Sequence, residues 1–277
     1  MIVSASTADT GGRRRFIAPP RNAVEAARFA QPIYAGLSRF QDLMVAPVWP
    51  SIAALDARLA LPGKHLAEQN EALLADGLHY ETRIAERGRI ATRADNWHDL
   101  FNALIWARYP AIKRALNRQQ CRHIATMAPG QRNRAQAALT QFDETGVIVR
   151  VRDPALLGAW DRHDWPALFV GGAGHWCNGD ITVAAVIGHA LLEQALLPDR
   201  LLVGKCVVVS GDDDATAVAA VAQAIANGGL LDDPLELRPL PLAGIPGWHA
   251  RQEQAFYARA EYFRPLRPGR VYPPALE

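Results

Sequence analysis

Apolar residues recur at intervals of three or four through most of the first 145 residues, which is the spacing of one face of an α-helix. This pattern predicts helices from about Arg21 onward. The predicted helical segments are 32–43, 51–60, 65–77, 79–88, 96–106, 111–127 and 132–142. Gly77 and Gly88 stand where two of them should end, because glycine readily takes the left-handed conformation that closes a helix.

After residue 142 the pattern changes. VIVRV (147–151) alternates as a strand does, KCVVVS (205–210) predicts a second strand, and segments 212–229 and 251–263 predict helices, the first capped by Asp213 or Asp214. The sequence therefore predicts an α+β fold that is predominantly helical, with a small sheet formed mainly by the second half of the chain. We expect a single globular domain over residues 21–277, preceded by a flexible N-terminal tail, residues 1–20.

Composition is consistent with a globular protein, with 49% hydrophobic and 21% charged residues. The most apolar stretch, residues 181–197, is interrupted by His189 and Glu193, so no membrane span is expected. The three cysteines form no CxxC pair and fit neither a disulfide framework nor a thiolate zinc site. We expect a soluble, cytoplasmic protein; the sequence does not determine its oligomeric state.

Positive charge is concentrated in one segment. Residues 82–134 contain eleven basic residues, ten of them arginines, against three acids. Arginine suits phosphate and carboxylate groups because its planar guanidinium can donate two parallel hydrogen bonds. The segment therefore either presents solvated helix faces or binds an anion, such as a nucleotide, a nucleic acid or a phosphorylated metabolite.

The stretch NWHDLFNALIW (96–106) carries unusual chemistry for a helix. It contains no Lys, Arg, Glu or Gln, the residues that normally solvate an outer face. Asn96 is placed to cap the helix, and Asp99 fits a helical first turn. His98 and Asn102 stand four residues apart and can therefore touch. Two interpretations stay open: a functional pair facing a ligand, or polar groups satisfied within the core.

A second pair, His189 and Glu193, also stands four residues apart, a spacing that lets both bind one metal or lets the acid orient the ring. Weaker candidates lie in HYE (79–81) and FDE (142–144). The order His79, His98–Asp99, Asp143 is similar to the ligand order of the HD phosphohydrolases, although only the order is shared.

Four blocks together resemble a bacterial family known only as domain of unknown function 3025. They are residues 79–117, 132–146, 188–198 and 241–265, so the resemblance spans most of the chain after about residue 45. It implies the fold of that family and no activity. The family pattern has an aspartate just after Arg134, where this chain has Gln136-Ala137-Ala138, so no acid is expected beside Arg134.

Our first hypothesis is an enzyme, such as a metal-assisted hydrolase, that acts on an anionic, phosphate-bearing substrate with the help of a divalent ion. Its predicted catalytic residues are His98, Asp99, Asn102 and Glu81. Its predicted substrate-binding residues are Arg93, Arg132, Arg134 and Lys205. Its predicted metal ligands are His98, Asp143, His189 and Glu193.

The alternative is a non-catalytic protein that binds nucleic acid or an acidic partner through the arginine-rich segment 82–134. A third interpretation makes NWHDLFNALIW structural and assigns partner docking to the Pro/Gly loop 241–250.

Overall fold

The strands form two sheets in the computed structural model, which describes residues 16–128 and 130–277. The four-stranded sheet has the order β4-β3-β5-β6, with β3 parallel to β5 and antiparallel to β4, and β5 antiparallel to β6. A parallel pair, β1-β2, forms the second sheet. The strands are β1 (His65–Glu68), β2 (Arg89–Thr92), β3 (Gly146–Val151), β4 (Ile181–Val186), β5 (Val203–Ser210) and β6 (Arg238–Pro241).

Helices make up most of the remaining regular structure. The α-helices are α1 (Gln41–Val45), α2 (Ile52–Leu59), α3 (Glu71–Leu74), α4 (Tyr80–Arg87), α5 (Trp97–Arg108), α6 (Pro110–Thr126), α7 (Arg134–Thr145), α8 (Leu157–Asp161), α9 (Ala173–Cys177), α10 (His189–Gln194), α11 (Asp214–Asn227) and α12 (Gln254–Tyr257). The fold is thus α+β and predominantly helical, with its larger sheet built by the second half of the chain.

Local sequence signals account for the ends of several helices. Asn96 caps α5 as predicted, because its side chain accepts a hydrogen bond from the Asp99 amide. Asp213 caps α11 in the same way, and Gly88 ends α4 in the left-handed conformation, with φ of +65°.

Three predicted helices differ in the structure. Segment 65–77 begins with strand β1 and holds only the short helix α3, because β1 pairs with β2 and needs only Leu66 on its buried side. From 21 to 40 the chain forms 3-10 helices, whose apolar spacing resembles that of an α-helix. In segment 251–263 only α12 is helical, and the chain then turns to bury Tyr262 and Phe263.

Helix α5 is buried on almost every side: Phe101, Leu104 and Ile105 are fully enclosed, and so is Trp106 apart from a 2% exposed fraction. Helix α10 packs against both α5 and α7. Gly188 permits this, since a Cβ there would lie 2.5 Å from the Thr145 Cα. Residues of α5, α7 and α10 therefore approach one another across long sequence separations.

Most of the predicted N-terminal tail lies outside the described residues. Within its described end, the Pro19 carbonyl accepts a hydrogen bond from the Trp97 indole, at 3.1 Å. None of the described helices combines the length and the apolar character needed to cross a bilayer. Cys121, Cys177 and Cys206 are free thiols.

Candidate functional site

A cavity of about 370 Å³ lies where α4, α5, α6, α7 and α10 meet. It falls within the usual range for a small-molecule site. Polar side chains supply much of its wall. The polar lining residues are Gln69, Tyr80, Glu81, Arg93, His98, Asp99, Asn102, Lys113, Asn117, Gln120, Thr140, Asp143, Glu144 and His189.

Two histidines face each other in this cavity, His98 from α5 and His189 from α10. Their Nε2 atoms are 3.1 Å apart, and their rings meet edge to face with centroids 4.4 Å apart. Imidazole nitrogens at this distance either share one proton or share a bound ion, because two lone pairs or two N–H groups would repel. His98 remains 27% exposed, whereas His189 is buried.

A carboxylate completes a group of three candidate ligands. The Glu144 Oε2 lies 3.7 Å from the His189 Nε2. Ligand atoms of His98, Glu144 and His189 all lie within 4.8 Å of one another. The three residues come from α5, α7 and α10, so the group depends on the packing of those helices.

Glu193, predicted as a metal ligand with His189, contacts His98. Its Oε2 is 3.3 Å from the His98 Nδ1, and a carboxylate can only accept there, so the Nδ1 carries the proton. In neutral His98 this leaves the Nε2 lone pair directed at His189. Burial lowers the pKa of His98, but Glu193 and Glu144 outweigh it, and the pKa lies above its ordinary value.

Asp143 forms an ion pair with Lys113. The Lys113 ammonium donates to the Asp143 Oδ1 at 2.5 Å, and the other carboxylate oxygen lies 4.0 Å from the His189 Nδ1. Burial favours a raised pKa for Asp143, but Lys113 outweighs it and the pKa is lowered, so the carboxylate is ionised. Burial, the dominant cause, lowers the pKa of His189 to about 3, which keeps this imidazole neutral.

Three buried polar atoms of the cavity wall have no hydrogen-bond partner among the described residues. They are the Asn102 Oδ1, the Trp106 Nε1 and the His189 Nδ1. The Asn102 amide nitrogen does have one, since it donates to the Tyr80 hydroxyl at 2.9 Å. A buried polar atom without a partner is costly, so these atoms are available to bind water or a polar ligand in the cavity.

Asp99 and Arg93 hold each other at the cavity wall. The Asp99 carboxylate accepts from the Arg93 backbone amide at 2.5 Å and from its guanidinium at 3.1 and 2.8 Å. Asp99 therefore does more than begin α5: it orients the only arginine that lines the cavity within the described residues.

Glu81 is a half-buried carboxyl of the cavity wall. Asn117 donates to its Oε2 at 2.6 Å and to its backbone oxygen at 2.9 Å. Burial raises the pKa of Glu81 above its ordinary value despite that hydrogen bond. Burial likewise raises the pKa of Glu144, the candidate ligand. The cavity thus contains two carboxyl groups with raised pKa values, Glu81 and Glu144, and one with a lowered pKa, Asp143. Such a combination is typical of acid–base sites.

The structure brings most predicted site residues together. His98, Asp99, Asn102, Glu81, Arg93, Asp143 and His189 line the cavity, Glu193 contacts His98, and Arg132 reaches its edge by donating to Thr140 at 2.5 Å. Arg134 lies elsewhere, bound to Asp233, and Lys205 lines a different cavity. His79, the first residue of the order shared with the HD phosphohydrolases, caps α4 instead.

The predicted ligand and substrate-binding sets left out Glu144, Lys113 and Tyr80. Glu144 was visible beside Asp143 in the acidic pair of α7, but spacing alone does not show which carboxylate faces a histidine 45 residues further on. Lys113 belonged to the basic segment, and no pattern in the sequence places its ammonium against Asp143.

Comparison with known proteins gives a family and no activity. The family model described as "Protein of unknown function (DUF3025)" matches residues 65–267. No curated protein and no solved structure matches the chain significantly.

Proposed function

Because the chain belongs to this family of unknown function, we propose a function from the chemistry of the cavity itself: a metal-assisted hydrolase that acts on an anionic, phosphate-bearing substrate. The proposal rests on one observation above all. Two imidazole nitrogens and a carboxylate oxygen, from His98, His189 and Glu144, lie within 4.8 Å of one another in a polar cavity.

The distance between the imidazoles suits a metal ion. Two Nε2 atoms 3.1 Å apart are close enough for both to bind one ion, since zinc–nitrogen bonds are roughly 2.0–2.1 Å long. Two histidines and one carboxylate are a common ligand set for Zn²⁺, Fe²⁺ and Mn²⁺. Such a set leaves coordination positions open for water and substrate.

The contact between Glu193 and His98 supports the same proposal. Histidines that bind metals usually donate their other ring N–H to a carboxylate, which fixes the tautomer and makes the ligating nitrogen more basic. The 3.3 Å contact at the His98 Nδ1 has this arrangement.

Charge balance also favours a bound cation. The cavity wall contains two full cations, Arg93 and Lys113, against four acids: Glu81, Asp99, Asp143 and Glu144. Both cations are already paired with aspartates. A divalent ion would offset the charge of the Glu144 carboxylate, so we expect an anionic substrate to bind well only when the metal is present.

The residues then divide the reaction between them. A divalent ion held by His98, His189 and Glu144 would activate water for attack on phosphorus, as the bond from phosphorus to the ester oxygen breaks and the proton of the water passes to solvent. Glu81, whose pKa burial raises, would give a proton to the leaving oxygen and regain one from solvent. Arg93 and Asn102 are placed to orient the substrate.

Metal analysis of protein made without a histidine tag tests the proposal. We expect one equivalent of Zn²⁺, Fe²⁺ or Mn²⁺ and metal-dependent cleavage of an aryl phosphate ester. His98→Ala should lose both while keeping its far-UV circular dichroism. The matched control is His65→Ala, since the His65 side chain is 73% exposed and outside the cavity. If the wild type neither contains nor takes up a divalent ion, the metalloenzyme is refuted.

Binding of nucleic acid or an acidic partner through segment 82–134 is the alternative that the same protein preparation can test. Two of its arginines already form ion pairs within the chain, the buried Arg83 with Asp76 and the exposed Arg134 with Asp233. Affinity for nucleic acid that falls steeply with salt, by about one log–log slope unit per phosphate contact, would favour the alternative.

A further inference from the structure

A second cavity, of about 620 Å³, shares no lining residue with the first. It lies beside β6 and the start of β5, under the C-terminal segment 261–272. Much of its wall is apolar or aromatic, formed by Trp165, Leu201, Val203, Leu235, Leu237, Tyr262, Tyr272 and several prolines. Both its size and its apolar wall are typical of a site for an organic ligand.

The charged groups of this wall are nearly all positive. Lys205, Arg264, Arg267 and Arg270 line the cavity together with one acid, Glu261. Glu261 is already paired with another cation, because it forms an ion pair with Arg259 at 3.0 Å. Four cations therefore face the cavity without a carboxylate of their own.

Among these four cations, Lys205 gives the strongest indication of an anion-binding site. It is half-buried on β5, and its ammonium makes no hydrogen bond or ion pair within residues 16–128 and 130–277. Burial, with the nearby Arg270 and Arg267, lowers its pKa below the ordinary value. An ammonium held among like charges and partly out of water is unfavourable unless an anion joins it.

The rim of the cavity is held in place by its own contacts. Arg270 stacks on the Tyr272 ring at 4.2 Å, and the Tyr272 hydroxyl is 2.8 Å from the His163 Nε2. The His163 Nδ1 is 3.1 Å from the Arg264 carbonyl oxygen. Because these contacts exist without a ligand, binding would need little reordering of this part of the wall.

We propose that this second cavity binds a small amphipathic anion, with an apolar body against the aromatic and proline wall and a phosphate or carboxylate at Lys205, Arg267 and Arg270. The site is for binding rather than catalysis. In the described part of the chain, no cluster of candidate metal ligands includes a residue of this wall. The proposal does not depend on the function of the first cavity.

Calorimetric titration with octyl phosphate, octanoate and octanol tests this. We expect both anions to bind at least tenfold more tightly than octanol, and their relative affinities show which head group the site prefers. Lys205→Met keeps the apolar stem and should weaken anion binding about tenfold or more. Arg251→Gln, an exposed arginine outside this cavity, is the matched control and should bind as the wild type does.

Two further variants keep the result decisive. If Lys205→Met does not fold, Arg267→Gln on the exposed C-terminal segment should still weaken anion binding. His98→Ala should bind the anions normally, which distinguishes this cavity from the first. The proposal is overturned if no anion binds, if octanol binds equally well, or if neither Lys205→Met nor Arg267→Gln changes the affinity.

Discussion

Gly188→Ala should destabilise the protein by separating α10, which carries His189, from α7, which carries Glu144. A Cβ at this position would lie 2.5 Å from the Thr145 Cα and 2.7 Å from the Glu144 carbonyl oxygen. Both are backbone atoms, so no side chain can rotate away. To restore ordinary van der Waals distances, α10 and α7 must move apart by roughly 0.7–1 Å. Overpacking of this kind costs about 1–3 kcal/mol of stability.

Gly174→Ala is the matched control, because a Cβ there meets nothing within 4 Å. It lies in α9, where alanine should leave the protein unchanged or stabilise it by up to about 1 kcal/mol. Urea unfolding followed by tryptophan fluorescence gives the free energy of unfolding of both variants. If Gly188→Ala unfolds at the wild-type urea midpoint with an unchanged slope, the close approach of α10 to α7 is wrong.

Three further predictions follow from individual contacts. Asp76→Asn should lower the free energy of unfolding at pH 7 and weaken its dependence on pH in acid. The hydrogen bond from Arg83 is the main cause that lowers the pKa of Asp76 to about 2 in the folded protein. The stability that this carboxylate contributes is therefore complete above its unfolded pKa of about 4 and disappears as the pH falls towards 2. A pH series of urea unfolding curves that runs parallel for variant and wild type would contradict this. Asn96→Ala removes the cap of α5 and should reduce the free energy of unfolding by about 0.5–2 kcal/mol; an unchanged value would mean the cap adds nothing. Glu193→Gln should weaken metal binding about 10–100-fold with little change in fold, because the carboxylate at the His98 Nδ1 is lost. Competition with a chelator measures the metal affinity, and equal affinity of variant and wild type would remove Glu193 from the site.

Much of the fold could be predicted because its signals are local. The alternation of VIVRV, the capping side chains of Asn96 and Asp213, and the left-handed glycine at Gly88 each act within a few residues. Where local signals are ambiguous the prediction failed. Segment 65–77 has helical spacing, yet its first residues pair with β2, and only a distant strand determines that.

The residues of the candidate site were likewise predictable only in part. His98 and Asn102 could be singled out because their helix lacks the residues of a solvated face, and His189 and Glu193 because their four-residue spacing suits a metal site. The residues that contact them could not be predicted from the sequence. His98 meets His189 from 91 residues away, and Glu193 binds His98 from 95 residues away rather than serving its own helix neighbour.

The sequence by itself indicated most of the candidate residues and most of the helices that hold them, since side-chain type, helical spacing and caps are properties of short segments. Only the tertiary structure decided which carboxylate joins the two histidines, which cations line each cavity, and that Lys205 serves a different cavity from His98. The physical reason lies in packing between helices. Contacts such as that of Gly188 with Thr145 set the distance between α7 and α10, and that distance decides which side chains can share one ligand.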